Sequence, residues 1–498
     1  MVDFTSPQDN KVHKSAISRD VAWWSSASFL GQLLGIATDL IISRFLGPSL
    51  RGAWETVRLI LAYADYSNLG VRTAAGRDIP IYTGKQQHTD SENLKRSTFS
   101  FTMTTAVLLA TFLLIATFLL PANTPAVLVW ALRVAPLIIV LQQWLNFYNL
   151  IFRAEGRFDL LSKTHALRAI LRIAVLGSLT ILWGFTGLLL GFVLTQLILC
   201  IYVARQDLYK LVYRLDRNEI GPLLVKGFPF LVIGISELVF TTFDRVLIAS
   251  FLSLQELGYY SIALTTLGIL AFVPNVVTTV LYPRVYRDYG LHQTSEILAA
   301  YLTKPNRMIS SALAIVMGNV VIVLPIIVNF VLPEYLPGVA AARIICAAAF
   351  FQGLSRMAGT VLLPKNTIWY YQVGLIINAL INLVLVLAVL LLGWGIEGVA
   401  LAIVLSNAVY FMTFNAYVFK NVSNGFQRFT RLLATVFPQG LWSAFALILV
   451  FSWFQDGYVG TLLKLFVFNL LMIPLLFHLL KESEGFNFLK KFKSRKLA

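Results

Sequence analysis

Long apolar runs separated by short polar joints repeat along the whole chain. A helix needs about 20 apolar residues to cross roughly 30 Å of hydrocarbon. At that length the runs predict helices at 21–45, 53–72, 98–120, 126–151, 163–183, 187–204, 226–250, 256–283, 308–332, 338–362, 370–392, 396–419, 433–454 and 459–480. The expected fold is an all-α integral membrane protein with about fourteen transmembrane helices. Charge is unevenly shared among the joints. With the N-terminus placed inside, inside joints collect groups such as Arg72, Arg77, Lys85, Lys95 and Arg96, or Arg205, Lys210, Arg214, Arg217 and Lys226; outside joints carry only Arg44 and Arg51. This is the positive-inside bias, and one missed helix would scramble it. Both termini are therefore expected in the cytoplasm, with the chain crossing the cytoplasmic membrane many times.

The pattern also repeats internally. FLGPSLRGAW (Phe45 to Trp54) returns in altered form as FLSLQELGYY (Phe251 to Tyr260), with Phe45/Phe251, Leu46/Leu252 and Gly52/Gly258 matching. A second pair, WGFTG (Trp183 to Gly187) and WGIEG (Trp394 to Gly398), follows in the same order at nearly the same offset. Both pairs fall on outside turns between helices, as duplication of a six-helix unit would place them. Six is even, so the copies start on the same side and form two parallel six-helix repeats plus two C-terminal helices. The expected organisation is a cytoplasmic tail (1–20), an N-lobe (21–204), a cytoplasmic linker (205–225), a C-lobe (226–420), the last two helices (421–481) and a basic cytoplasmic tail (482–498).

Composition changes this picture little. The 498 residues are 58% hydrophobic and 13% charged, against about a quarter charged in soluble proteins. The first twenty residues are polar, so no cleavable signal is expected and the first helix should stay. The net charge of +16 follows the inside joints and reads as topology and contact with anionic lipid, not as nucleic-acid binding. Cys200 and Cys346 lie in apolar runs and read as packed side chains. His13, His88, His165, His292 and His478 share no metal-ligand spacing, so no metal or other cofactor is expected.

The runs SFLGQLLGIATDLIISRFLGPSLRGAWETVRLILAYADYSNLGVRTA, KGFPFLVIGISELVFTTFDRVLIASFLSLQELGYYSIA and GWGIEGVALAIVLSN resemble the polysaccharide-transporter branch of the multidrug/oligosaccharidyl-lipid/polysaccharide exporter superfamily. The resemblance runs over essentially the whole chain through diffuse structural motifs. It implies a flippase that moves a polyprenyl-pyrophosphate-linked oligosaccharide from the cytoplasmic to the outer leaflet, as in O-antigen export, by alternating access of two lobes. Its implied partners are the lipid-linked oligosaccharide, membrane lipids and the polymerase or ligase of the same pathway. A lipid II-type flippase, which also has fourteen helices, and a cation-coupled multidrug exporter, typically with twelve, are the alternatives.

Ionisable residues inside the runs are the candidates for function, because charge at hydrocarbon depth is costly. Glu55, Arg58, Asp65 and Arg72 recur at helical spacing on one stripe, although Glu55 and Arg58 could simply neutralise each other. Glu237, Thr241 and Asp244 share a face, with Arg245 alongside, and Asp39 lies at a comparable outer depth. Asp39, Asp65, Glu237 and Asp244 are candidates for binding a coupling proton or sodium ion. Arg58, Arg133, Arg168, Arg172 and Arg343 are candidates for the pyrophosphate, since a planar guanidinium donates two parallel hydrogen bonds. Arg168 and Arg172 form a basic ramp, while Arg343 lies nearer a helix end, where a lipid headgroup competes. Outside joints are short and poor in acids, and neither a Gly-rich phosphate loop nor a paired-Asp metal motif is present. No catalytic residue is expected, and a membrane glycosyltransferase or ligase is disfavoured.

Overall fold

The computed structural model describes residues 7–206, 213–278, 295–362, 368–423, 426–455 and 457–480, with single positions at 281, 285 and 289. The basic tail 482–498 and the inside-joint residues Lys210, Arg284, Arg287 and Lys365 lie outside the described residues.

Among the described residues the chain is helical, without strands. The helices are α1 (Pro7–Ala64), α2 (Val71–Gly84), α3 (His88–Ala116), α4 (Ala126–Ala154), α5 (Phe158–Leu171), α6 (Ser178–Ala204), α7 (Arg217–Phe251), α8 (Leu254–Leu270), α9 (Ser295–Val331), α10 (Val339–Leu362), α11 (Ile368–Leu391), α12 (Gly395–Ser423), α13 (Phe426–Trp453) and α14 (Tyr458–Leu471). Tight 3-10 turns occupy Asp65–Asn68 and Pro333–Gly338, and a π turn spans Arg172–Gly177. Among the described residues, ten helical stretches are long and apolar enough to cross a membrane, or eleven when Tyr458–Leu471 and Ile473–Leu480, bent by 47°, are taken as one. The protein is a multi-pass membrane protein.

Two continuous helical stretches contain reversals. Within α1, Gly47 has φ 70° and ψ 171° and precedes Pro48. Arg51 then lies 3.6 Å from Asp39, where a straight helix would hold them about 18 Å apart. The stretch 158–204 breaks at Trp183 and at Gly184, which has φ 57° and ψ −131°, and Gly191 returns to pack on Leu176. The matched motifs share this geometry. Gly395 in WGIEG has φ 59°, like Gly184 in WGFTG, a conformation that costs glycine almost nothing. Three residues further on, a Cβ at Gly187 would lie 1.8 Å from the Leu179 carbonyl oxygen, and one at Gly398 would lie 2.5 Å from Trp394 Cβ.

The expected helix 53–72 stops early, at Ala64. Asn68 is the reason: its Nδ2 donates to the Asp65 carbonyl at 2.7 Å, and its Oδ1 accepts from the Gly70 and Arg72 amides at 3.2 and 3.4 Å. This side chain supplies the partners that a helix would have provided, and Leu69 and Gly70 turn left-handed at φ 51° and 81°. Asp65 and Arg72 therefore meet across a turn rather than along one helical stripe. The joint beyond, expected as an inside loop, folds as α2.

The chain forms two compact units, 1–238 and 239–498, and the boundary falls within α7. The first unit is cored by Val71, Ile79, Phe147, Ile151, Phe152 and Leu199. The first half of α7 closes against it so tightly that a Cβ on Gly227 would lie 2.6 Å from the Gly70 carbonyl oxygen. Upstream of α7, Arg214 pins the chain to α3: its amide donates to Ser100 Oγ at 2.8 Å and its guanidinium to Asn93 at 2.7 Å and Asp216 at 3.0 Å. The second unit is cored by Leu302, Leu313, Phe350, Phe411, Val418 and Leu432. There α13 and α14 seat on α9: Ser443 donates to the Ala314 carbonyl at 2.8 Å, and the Asn319 and Asn469 side chains exchange hydrogen bonds at 3.1 and 2.8 Å.

Gly227→Val should lower stability by about 1–3 kcal/mol through overpacking, read as a lower unfolding temperature in detergent; an unchanged midpoint would mean that the α7 crossing tolerates a side chain. The Arg214 guanidinium and the Asn218 amide hold the Asp216 carboxyl below its ordinary value of 3.8. The Arg214–Asp216 contact is therefore favoured above about pH 4 and weakens as the carboxylate protonates at lower pH. Measured as protection relative to the intrinsic exchange rate, the amides at 213–219 should lose protection below pH 4 in the wild type, and in Arg214→Ala they should be poorly protected at every pH.

Candidate functional site

The reversal at Gly47 brings the two arms of α1 together, and the charges of both arms meet where they touch. Arg51 and Glu55 are 1% and 2% exposed and lie 3.0 Å apart. Arg51 also reaches Asp39 at 3.6 Å, and Glu55 accepts a second hydrogen bond from Arg58 at 2.9 Å. Arg58 is itself 41% exposed. Arg172 joins from the π turn: its Nη1 would lie 3.5 Å from a Cβ on Gly35, and its guanidinium feels Asp39, Arg58 and Arg51. Arg168, one turn earlier, feels Arg172. Single π turns inside α-helices concentrate at functional sites because they re-aim a side chain without ending the helix.

The balance of this cluster is positive. Arg51, Arg58 and Arg172 face Asp39 and Glu55, leaving one cation in excess, or two with Arg168. The buried Arg51–Glu55 pair fixes the frame, while Arg58 and the half-buried Arg172 present guanidinium groups at its edge.

A second polar group lies in the same unit. Asp65 binds Arg72 at 2.9 Å and accepts from Asn146 at 2.7 Å. Gln143 ties the group together, accepting from Arg72 at 2.7 Å and donating to the Ala64 carbonyl at 2.7 Å and to Ser67 Oγ at 3.0 Å. Tyr66 packs on α7 at Gly234 and feels both Asp65 and Glu237.

Arg58, Arg168, Arg172 and Asp39 are thus gathered in one cluster, and Asp65 and Glu237 approach a common neighbour in Tyr66. The remaining candidates lie elsewhere. Arg133 is exposed and stands over the Phe118 ring at 5.2 Å. Asp244, in the second unit, is buried and accepts from the Tyr260 hydroxyl at 2.7 Å. Arg343, also in the second unit, donates from Nε to the Val321 carbonyl at 3.2 Å.

Sequence reading assigned Arg51 to an outside joint, yet it is the most buried member of the cluster. Its spacing of four from Glu55 was the available signal. Gln143 and Asn146 also escaped notice, although two amides three residues apart in an otherwise apolar run mark a polar face.

A family model described as "Polysaccharide biosynthesis protein" matches residues 17–287, more than half of the chain. No curated protein matches significantly. Several solved structures match in fold. A lipid II flippase, MurJ, in an inward closed conformation aligns with a TM-score of 0.67 at 15% identity, covering 93% of this chain and 98% of that one. An inward-facing multidrug resistance MATE transporter of the MOP superfamily aligns with a TM-score of 0.61 at 16% identity, covering 79% and 95%. A MOP superfamily transporter from Pyrococcus furiosus aligns with a TM-score of 0.57 at 16% identity, covering 81% and 95%.

Removing one partner of a buried ion pair strands the other charge, so Arg51→Gln should cost about 3–5 kcal/mol. The double variant Arg51→Met/Glu55→Leu should cost less than its two single changes together. A double-mutant cycle on unfolding in detergent measures the difference, and strict additivity would mean that the pair does not frame the cluster.

Proposed function

This chain belongs to the polysaccharide biosynthesis protein family, and on that footing we propose that it is a flippase for a polyprenyl-pyrophosphate-linked oligosaccharide, carrying it across the cytoplasmic membrane by alternating access of two lobes. The observation that carries this reading is the positive excess of the α1 and π-turn cluster. A pyrophosphate crossing hydrocarbon needs charge compensation along its path. Arg58 and Arg172 offer planar, permanently charged forks for it, while Asp39 and Glu55 hold them in place and keep their mutual repulsion in check. Arg168 extends the basic ramp. The protein then acts as a transporter and not as an enzyme.

Counting each reversal at Gly47 and Gly184 as the end of one span and the start of another supports fourteen spans with both termini cytoplasmic. The matched glycine geometry of WGFTG and WGIEG supports a duplicated six-helix unit. The buried acid Asp244 and, with it, Asp39, Asp65 and Glu237 are our candidates for coupling to an ion gradient. Arg133 and Arg343, outside the cluster, are less suited to the pyrophosphate. A lipid II-type substrate is the second reading, favoured by the coverage of nearly the whole of both chains in the MurJ alignment.

Flipping of a fluorescent polyprenyl-pyrophosphate oligosaccharide in proteoliposomes tests the proposal. Each charge-assisted contact contributes about 1.5–3 kcal/mol, so Arg58→Gln/Arg172→Gln should slow transport by at least about tenfold. Transport at the wild-type rate in this variant would refute the role of the cluster. Efficient movement of lipid II in place of the oligosaccharide carrier would select the second reading.

A further inference from the structure

The polar group where α1 ends divides into a buried part and a half-exposed part. Gln143 is 1% exposed, and both ends of its amide are engaged: Oε1 accepts from Arg72, and Nε2 donates to the Ala64 carbonyl and to Ser67 Oγ. It holds the helix break together. Asn146, three residues further along α4, is half-buried, and among the described residues it hydrogen-bonds only to Asp65, through Nδ2. Its Oδ1 and its second N–H are left for another partner. Ser67, also half-buried, accepts from Gln143 and keeps its own hydroxyl hydrogen to donate. The Asp65 side chain is 32% exposed, and each of its oxygens, bonded once to Arg72 or Asn146, can accept again.

Electrostatics select the kind of partner. Asp65 and Arg72 lie 2.9 Å apart and cancel each other's charge, so the exposed edge offers donors and acceptors side by side while the pair itself is neutral. A free ion gains little from such a pair. A neutral molecule dense in hydroxyl groups gains most, because each hydroxyl both donates and accepts and its bonds to the carboxylate are charge-assisted.

Position supplies a second argument. Asp65 follows Arg58 by seven residues along the same arm of α1, nearly two full turns, so it lies on the same stripe about 10 Å away. The direction is toward Arg72, in a joint that the charge bias puts inside. A pyrophosphate gripped at Arg58 and Arg172 on entry from the cytoplasmic leaflet carries its sugars on that side.

We propose that Asp65, Ser67 and Asn146 form a subsite for the sugar rings next to the pyrophosphate. The inference rests on the reading of the Arg58 and Arg172 cluster as the pyrophosphate site and extends it from the charged to the neutral part of the carrier. It gives Asp65 to the sugar and leaves Asp39, Glu237 and Asp244 for the coupling ion.

Binding to the detergent-solubilised full chain tests this with two probes, a fluorescent polyprenyl pyrophosphate and the same carrier bearing the oligosaccharide. The wild type should bind the sugar-bearing probe at least about tenfold more tightly. Asn146→Leu should remove that margin and leave the affinity for the sugar-free probe unchanged. Ser67→Ala should narrow the margin in the same way, and it decides the matter if Asn146→Leu does not fold. Arg58→Gln/Arg172→Gln should weaken both probes alike, so it reports on the cluster separately. Equal affinity of the wild type for the two probes, or a margin that survives both Asn146→Leu and Ser67→Ala, would overturn the sugar subsite and leave the pyrophosphate site standing. Equal loss of both probes in Asn146→Leu would overturn it too, since the group would then serve the fold or the ion. Unchanged binding of both probes in the arginine variant would refute the cluster instead, and with it the placement of the sugars.

Discussion

Hydrocarbon cannot hydrogen-bond a peptide group, and this constraint governs where the chain can turn. Every amide and carbonyl at depth must find its partner within the protein, so long helices are obligatory and each interruption needs its own supply of partners. The interruptions here are few and specific. Gly47, Gly184 and Gly395 take left-handed geometry that other residues rarely adopt, and Asn68 rebuilds with its side chain the hydrogen bonds that α1 gives up at Ala64. Hydroxyl side chains follow the same economy: Thr38, Thr164 and Thr180 each donate to the carbonyl four residues earlier, so they lie inside the helices without an unmet donor.

The charges obey a related constraint. A buried arginine is tolerable when an acid answers it, and Arg51 has two, Asp39 and Glu55. The Asp39 contact exists only because Gly47 lets α1 fold back on itself, so a backbone feature determines part of the electrostatics. The frame so built can hold further arginines close together, which an isolated helix at this depth could not.

Much of this was legible along the chain. Apolar runs of the right length, separated by joints of alternating charge, specify helices and their order, because crossing hydrocarbon imposes both. The turns WGFTG and WGIEG were visible as a pair because both take a positive φ at the same step, which favours glycine. The helix end at Ala64 was hidden, since an Asn capping in place of a helical hydrogen bond leaves no mark in hydropathy. The grouping of Asp39, Arg51, Glu55 and Arg172 was hidden as well. Periodicity reports which residues share a face of one helix; it is silent on which face of another helix comes to meet it. Arg58 and Arg172 were recognisable as candidates one by one, and their proximity required the fold.

The π turn at Arg172–Gly177 also acts as a phase shifter. Its wider ladder takes up about one residue more per turn than an α-helix, so the stretches before and after it are rotated about their common axis by roughly 100° relative to an unbroken helix. At its start, Arg172, with Ala169 just before it, looks onto α1 at Gly35 and Gly31; near its end, Leu176 receives Gly191 of the returning arm. One rod thereby serves two neighbours that an ideal helix of the same sequence would present with misaligned faces. A single residue gained or lost within those six positions would turn one set of contacts away from its partner while leaving the composition, hydropathy and length of the segment almost unchanged.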